Sequence, residues 1–378
     1  MNSRPLLALL ALLCLSTATT RAQAADGILV SWGTGAYELV SGTPAGIFSA
    51  IAAGELHSVA IRADGTLVSW GYDCCAQVSG TPGGTFSAVA AGQVFSVGIR
   101  SDGTLVSWGA DNFGQVSGTP FGTYSAVAAG AYHSVAIRTD GTLVSWGFDR
   151  FGQVSLTPTG TFSSVAAGFV HSVGIRTDGT LVSWGADRAG GGQVSPGPAG
   201  TYSAVAAGEL ANVAIRTDGT LVSWGNDDVG QVSGTPTGEF ISVAAGRFHS
   251  VAIRTDGTLV SWGRDDFGDV IATPAGVFSA IAAGTAHNVA IAKSPAKQLS
   301  DLIVLVQSLG IQHGVKNALI VKLQAALVAI NPHNQRATCE RLKRFINEVR
   351  AQSGKKLTPA QATSLHDAAT RLRAALGC

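Results

Sequence analysis

The sequence lacks several features that would identify an enzyme or a membrane protein. After the first residues, no apolar run approaches the roughly 20 residues that a membrane span requires. The stretch AGGGQ precedes neither a lysine nor a helix, which excludes a phosphate-binding loop, and no calcium-loop pattern surrounds the recurring aspartates. Carboxylate pairs unique to one segment and a separate Ser/His/Asp set are also missing. We therefore expect a protein that is not an enzyme and needs no metal or other cofactor.

Charge is scarce and unevenly distributed. Charged residues make up 13% of the 378 residues, against about 25% in an average protein. Residues 25–293 contain 20 acidic and 11 basic side chains, a net charge of −9, whereas residues 294–378 contain 4 and 12, a net charge of +8. This asymmetry predicts an acidic domain followed by a basic one.

The N-terminus has the pattern of a secretory signal peptide. Arg4 supplies a positive start, Leu6 to Leu15 is a short apolar run, and Ala22-Gln23-Ala24 fits a cleavage site. We expect a signal peptide over residues 1–24, cleaved after Ala24, and a secreted or periplasmic mature protein. A membrane helix is the alternative, which the shortness of the run disfavours. The four remaining cysteines would then be free to oxidise.

A repeat occupies most of the chain. Its clearest markers are the seven tryptophans, each followed by glycine and spaced 38 or 40 residues apart: Trp32, Trp70, Trp108, Trp146, Trp184, Trp224 and Trp262. A period near 40 residues is typical of repeat architectures. In each unit FSAVAAG, HSVAIR and TLVSWG read as strands, Asp-Gly predicts a hairpin turn, and QVS reads as a fourth short strand. Four short antiparallel strands per unit predict the blade of a β-propeller.

The two ends of the repeat region complement each other. The first unit begins at DGILVSWG, residues 26–33, without the strands that should precede it, and the last unit, AAGTAHNVAIA at 282–292, lacks its final strand. The N-terminal strand can complete the last blade and leave no exposed edge. The sequence therefore predicts an all-β, seven-bladed propeller over residues 25–293, with four-stranded antiparallel blades and a ring closed by the terminal strands.

The motif VAAGxxHSVAIRTDGTLVSWGxDxxGQVS resembles the repeat of the regulator of chromosome condensation. It is even more similar to the shorter repeat of the secreted β-lactamase-inhibitor proteins of that superfamily. The resemblance covers about residues 26–293 and implies a propeller that mainly binds other proteins, including inhibitor-like binding. The namesake's guanine-nucleotide exchange is disfavoured, because that role is intracellular and the signal peptide predicts export. Binding to nucleic acid is not expected.

Comparison of the copies separates constant positions from variable ones. The Asp-Gly turn and the TPxG link barely change, whereas the loops after AAG and after SWG vary. In an up-and-down blade both variable loops lie at the same end, so the variation falls on one face, where binding residues tend to lie. The face is rich in aromatics and carries both charge signs, as protein interfaces often do. Neutral drift of exposed loops, and a glycan or cell-wall partner, are the alternatives. The predicted partner-binding residues are Tyr72, Phe113, Tyr132, Phe148, Arg150, Phe151, Phe169, Arg247, Phe248, Arg264, Asp266 and Phe267.

Three recurring or unusual residue types have structural interpretations. The histidines after AAGxx are replaced by Phe95 and Ala211 in two copies, so packing or hydrogen bonding is favoured over metal binding. The aspartate after SWGx is expected to bond its own loop as an Asx turn. Cys74 and Cys75 occur in one copy only, and a vicinal disulfide, two exposed thiols and a link to a partner all remain open.

Residues 294–378 change to a helical period. Helices are predicted over Leu299 to Leu309, Val315 to Ile330, Gln335 to Gln352 and Pro359 to Leu376, the last beginning at the N-cap Thr358. Together they predict a small all-α domain of four helices, with a disulfide between Cys339 and Cys378. The segment resembles the FIMAH domain, which ends many secreted bacterial proteins. Its basic residues favour an anionic envelope or cell-wall partner, with a solvated helical face as the alternative.

Overall fold

The computed structural model describes residues 27–187, 191–194, 197–330 and 335–378. The signal peptide predicted over residues 1–24 lies outside these ranges, and so does part of the insertion around Gly190 to Gly192. The internal contacts divide the chain into a unit that ends at Ala292 and a second unit from Lys293 to Cys378. The predicted boundary lies one residue from this division.

The repeats fold into short antiparallel sheets with a first, a middle and a third strand. The first strands are β2 (Phe48–Ala53), β5 (Phe86–Ala91), β8 (Tyr124–Ala129), β11 (Phe162–Ala167), β14 (Tyr202–Ala207), β17 (Phe240–Ala245) and β20 (Phe278–Ala283). The middle strands are β3 (His57–Arg62), β6 (Phe95–Arg100), β9 (His133–Arg138), β12 (His171–Arg176), β15 (Ala211–Arg216), β18 (His249–Arg254) and β21 (His287–Lys293). The third strands are β1 (Gly27–Gly33), β4 (Leu67–Gly71), β7 (Leu105–Gly109), β10 (Leu143–Gly147), β13 (Leu181–Gly185), β16 (Leu221–Gly225) and β19 (Leu259–Gly263). These sheets form a β-propeller.

The Asp-Gly turn between the middle and third strands follows from local chemistry. Gly65 has a φ of +87°, which glycine adopts without a steric cost. The Asp64 carboxylate accepts hydrogen bonds from the backbone N–H of Thr66 at 2.9 Å and from its hydroxyl at 2.7 Å. This Asx-type bonding stabilises the turn and explains why the dipeptide recurs with so little change.

The predicted fourth strand is wrong, because the QVS segments that lie wholly within the described ranges form compact turns instead. In the first complete repeat, the Asp73 carboxylate accepts hydrogen bonds from the backbone N–H groups of Val78 and Ser79, at 2.8 and 3.1 Å. The indole N–H of Trp108, from the next repeat, donates to the carbonyl of Gln77 at 3.1 Å. Side chains therefore take the backbone groups that a fourth strand would have paired with its neighbour. Asp73 does accept hydrogen bonds from the backbone of its own loop, but the donors lie five and six residues later in the chain, rather than two as in an Asx turn.

Ala76 in this turn has a left-handed backbone, with a φ of +62°. The equivalent residue in the next repeat is Gly114, whose φ is +79°. Because a side chain makes this conformation costly, we expect Ala76→Gly to raise the free energy of unfolding by about 1 kcal/mol. Chemical denaturation of both variants tests this, with Gly114→Ala as the reciprocal control that should lose a similar amount. An unchanged midpoint for both variants would contradict it.

Adjacent sheets pack face to face through small and branched side chains. In one such layer Val97 and Ile99 pack against Val127 and Trp146 of the following repeat, and all four are buried. Burying both faces of each sheet explains why the strand sequences are apolar at successive positions rather than alternating.

The first and last repeats contact each other. Strand β1 pairs with β21 and, through Gly27 and Phe48, also with β2, which gives a six-stranded sheet in the order β20-β21-β1-β2-β3-β4. Trp32 on β1 packs with buried residues of β18 and β20, and it is 5% exposed. The N-terminal strand therefore takes the third position beside β20 and β21, as the complementary ends of the sequence predict.

The described residues of the second unit form four helices: α1 (Pro295–Ser308), α2 (His313–Val328), α3 (Gln335–Gln352) and α4 (Pro359–Ala375). Thr358 and Gln361 form a complete capping box at the start of α4. A disulfide joins Cys339 to Cys378 across a Cα–Cα distance of 6.0 Å, in agreement with the sequence prediction. Within the described ranges, the helices are all too short or too polar to cross a membrane.

Candidate functional site: the variable-loop face

The two variable loops of a repeat meet at the same end of its sheet. The backbone N–H of Phe148, after β10, donates to the carbonyl of Tyr132, in the loop between β8 and β9, at 2.9 Å. Arg264 and Phe248 are joined in the same way at 2.9 Å. The Asp-Gly turns lie at the opposite end of the strands. The predicted face residues therefore share one face, which we call the variable-loop face.

Five aromatic rings from neighbouring repeats form a continuous patch, the aromatic cluster: Phe113, Tyr132, Phe148, Phe151 and Phe169. The Phe113 ring lies 4.8 Å from that of Phe148 and 5.4 Å from that of Tyr132. Tyr132 reaches Phe169 at 6.1 Å, and Phe148 reaches Phe151 at 6.1 Å. Phe113 and Phe151 remain 46% and 44% exposed, and the Arg150 guanidinium lies 5.9 Å from the Phe151 ring. Rings that pack edge-to-face or tilted against each other, with two of them still open to solvent, offer a large contact area that is already ordered.

A second group, the charged cluster, lies on later repeats: Glu209, Arg247, Phe248, Arg264 and Asp266. Arg247 pairs with Glu209 at 2.7 Å, and Arg264 pairs with Asp266 at 2.5 Å. Both guanidinium groups also lie over the Phe248 ring, at 4.8 and 5.3 Å from its centre. The ion pairs and the ring hold these side chains in defined positions.

Two predicted residues lie apart from these clusters, and two contacts were missed by sequence reasoning. Phe267 is 56% exposed and joins neither cluster among the described residues. The Tyr72 ring instead packs against that of Tyr37, with 4.7 Å between the ring centres. Tyr37 occupies the position of Phe113 in the incomplete first repeat, so aligning that repeat with the others would have found it. Glu209 could only be recognised through its contact with Arg247, which comes from the next repeat.

The AAG segments surround a cavity of about 340 Å³ at the same end of the sheets. Side chains of Glu55, Phe169, Glu209 and Arg247 lie among its lining residues, so both clusters reach its rim. A Cβ atom on any AAG glycine would overlap a carbonyl oxygen of the next copy. The glycine pairs are Gly54 with Gly92, Gly92 with Gly130, Gly130 with Gly168, Gly168 with Gly208, Gly208 with Gly246, Gly246 with Gly284, and Gly284 with Gly54.

The recurring histidines connect neighbouring repeats. Each imidazole Nε2 lies 2.8 Å from a serine or asparagine side chain of the next copy: His57 with Ser96, His133 with Ser172, His171 with Asn212, His249 with Asn288, and His287 with Ser58. Burial lowers the pKa of His57 to about 4 and that of His133 to about 3. The rings are buried and bonded to the next copy, which supports the packing and hydrogen-bonding interpretation.

Asp269 departs from the other copies in a way that sequence reasoning missed. The equivalent Gln115 and Gln231 are buried and accept a backbone N–H through Oε1, at 2.7 and 3.0 Å. Asp269 is 4% exposed, and its Oδ1 has no hydrogen-bond partner within the described ranges. Burial, and then the charges of Asp265 and Asp266, raise the pKa of Asp269 to about 6. Comparing the copies at this position would have shown that only Leu39 and Asp269 replace the glutamine, and that Asp269 alone brings a charge.

Repeated short sheets around a rimmed cavity, with variable loops gathered at one end, define a β-propeller. Six segments of the chain match the regulator of chromosome condensation (RCC1) repeat: residues 48–77, 86–115, 124–153, 162–190, 202–231 and 240–269. The propeller unit belongs to the RCC1 repeat family, which confirms that part of the sequence resemblance. No curated protein matches the chain.

Solved structures share the propeller fold. Prp20p of Saccharomyces cerevisiae, described with its binding to Gsp1p and histones, has a TM-score of 0.60 at 18% identity, covering 72% of this chain and 93% of its own. Human WBSCR16 has a TM-score of 0.58 at 17% identity, covering 71% and 99%. The ectodomain of the receptor kinase CR4 of Physcomitrella patens has a TM-score of 0.54 at 24% identity, covering 62% and 68%. At these identities the likeness shows the fold alone.

Proposed function

We propose that the protein is an exported, non-catalytic binding protein whose propeller presents the variable-loop face to a protein partner. The single observation that carries the proposal is the aromatic cluster, because five rings from neighbouring repeats converge there while two of them stay almost half exposed. Exposed aromatic patches of this kind mark interaction sites on soluble proteins. Prp20p, of the same fold, is described with its binding to the proteins Gsp1p and histones.

The scaffold we propose is a closed ring of seven blades. Its support is the series of contacts between consecutive copies, which continues from the last copy to the first. His287 of β21 reaches Ser58 of β3, and Gly284 lies against the carbonyl of Gly54. A closed ring would hold the loops of distant repeats at fixed spacing, as a binding face that spans several blades requires.

A non-catalytic, inhibitor-like role fits the polar groups of the face. The Asp111 and Asp149 carboxylates bond the backbone of their own loops, at 2.8 Å in each case. Arg247 and Arg264 are paired with carboxylates. These groups position loops, so binding energy would come from the rings and from the rim of the cavity.

Loss of exposed rings from the aromatic cluster should weaken partner capture. We expect the double variant Phe113→Ala/Phe151→Ala to bind its partner at least tenfold more weakly, since buried interface aromatics commonly contribute more than 1.4 kcal/mol. The measurement is a quantitative pull-down from the culture of the source organism, followed by titration of the recovered protein. Phe121→Ala is the matched control, because Phe121 is 98% exposed and precedes β8 at the opposite end of that strand. Equal capture by the double variant and the control would refute the face assignment.

A glycan or cell-wall ligand is the second candidate, because exposed rings such as Phe113 and Phe151 can also stack on sugars. A glycan array probed with the full chain distinguishes the two: signals lost in the same double variant would favour this candidate over the first. We propose that the helical unit, whose residues 294–378 carry a net charge of +8, serves as a FIMAH-like accessory or anchor at an anionic surface.

A further inference from the structure

Cys74 and Cys75 stand together at the edge of the variable-loop face. Their Sγ atoms are 2.7 Å apart, Cys74 is exposed, and Cys75 is half-buried. The corresponding residues of the next repeat are Asn112 and Phe113, so a pair of thiols replaces a member of the aromatic cluster. The two sulfur atoms are therefore close together and open to a small molecule.

The surrounding loop holds the pair in place. The amide of Gln77, a fully buried side chain, donates through Nε2 to the Cys74 sulfur at 3.8 Å and accepts the backbone N–H of Cys75 through Oε1 at 2.9 Å. In the next two repeats the equivalent nitrogens, on Gln115 and Gln153, have no hydrogen-bond partner within the described ranges. One buried side chain thus contacts both cysteines, which limits the freedom of the loop that carries them.

We propose that Cys74 and Cys75 form a reversible vicinal disulfide by exchange with small-molecule disulfides. The Cys74 thiolate attacks a disulfide RSSR, forms a mixed disulfide and releases one thiolate RS⁻. The Cys75 thiolate then attacks the Cys74 sulfur, which forms the Cys74–Cys75 bond and releases the second RS⁻. The protein loses two protons and two electrons, and RSSR is reduced to two thiols after protonation.

The order of attack follows from the environment of each thiol. Cys74 is the exposed member, so it meets the small disulfide first. A hydrogen bond with Cys74 and burial raise the pKa of the Cys75 thiol, which disfavours Cys75 as the first nucleophile. Once the mixed disulfide has formed on Cys74, the Cys75 sulfur lies close enough to attack the Cys74 sulfur in the second step.

The bond should be easily reduced compared with the other disulfide of the chain. Adjacent Cα atoms are about 3.8 Å apart, whereas relaxed disulfides span about 4.4–6.8 Å between Cα atoms. Cys339 and Cys378, at 6.0 Å, fall inside that range. A strained vicinal bond that opens and closes beside Tyr72 would make this edge of the face sensitive to redox conditions.

Mass spectrometry of the full-length protein tests the proposal. The chain is treated with a mild reductant, desalted, and exposed to glutathione disulfide. We expect the peptide with Cys74 and Cys75 to lose two hydrogen atoms and to retain no glutathione. In the Cys75→Ser variant, Cys74 should keep one glutathione, because no second thiol can displace it.

Other outcomes would overturn the assignment. The proposal is wrong if the wild-type pair keeps glutathione, stays as two thiols or forms a disulfide between two chains, because each result shows that no Cys74–Cys75 bond has formed. A dithiothreitol titration provides the second measurement. The vicinal bond should open at a reductant concentration at least tenfold below that needed for Cys339 and Cys378, and a bond that opens later than theirs is not the reversible one proposed. Neither measurement requires a binding partner, so the result is independent of the proposed function.

Discussion

Trp32→Ala is expected to lower the free energy of unfolding of the propeller by about 3–5 kcal/mol, the usual cost of removing a buried aromatic side chain. Trp32 lies only six residues into the described chain, where an unpaired strand would fray. Instead it packs with Ile253 and Phe278, and its indole N–H donates to the backbone carbonyl of Asp269 at 3.0 Å. The N-terminal strand should therefore be as firmly held as a strand in the middle of the chain.

Trp146→Ala is the matched control, since Trp146 is 5% exposed like Trp32 and donates to Gln115 at 3.0 Å in the same way. Urea denaturation followed by circular dichroism should give similar losses for both variants. A loss below about 1 kcal/mol for Trp32→Ala, with the full loss for Trp146→Ala, would show that β1 does not close the last sheet in solution.

Asp269→Asn should stabilise the propeller at neutral pH by about 2–3 kcal/mol, the largest stabilisation that we expect from a single substitution. The pKa of Asp269 is raised from 3.8 to about 6 in the folded protein. Between pH 3.8 and about 6, Asp269 is protonated in the folded state and ionised in the unfolded state. Stability contributed by this group is therefore present below pH 4 and is lost as the pH rises through 6.

The pH dependence separates this effect from a general change in packing. The parent and Asp269→Asn should have similar stability near pH 4 and diverge between pH 4 and 6, as measured by thermal melts across that range. Carboxylates such as Asp73, whose pKa is lowered by hydrogen bonds from Ser79 and Val78, are common to both proteins and cancel in the difference. Gln231→Glu is the converse control and should lose stability as the pH rises. A constant difference between parent and Asp269→Asn at all pH values would argue against a buried, protonated Asp269.

The repeat predicted most of the propeller but not the form of each blade. The apolar runs, the Asp-Gly turn and the complementary ends gave the strands of each sheet and the position of β1. The prediction of a fourth strand was wrong because the QVS sequence, taken by itself, has the pattern of a strand. Its backbone groups are taken by Asp73, a few residues away, and by Trp108, 31 residues away in the next repeat. The helical unit was predicted more closely, because its helices and caps depend on short-range patterns.

The periodic positions, the turn chemistry and the matching half-units are properties of the linear chain, and they were enough to establish a repeat propeller with variable loops at one end. Only the tertiary structure determined which side chains of those loops contact each other. Phe113, Tyr132 and Phe169 come from different repeats, and only the spacing and twist of neighbouring sheets bring their rings within 5.4 and 6.1 Å along the series. The burial of Asp269 beside β1 likewise depends on contacts across 237 residues of chain. Such contacts arise from the packing of distant segments, which local propensity does not encode.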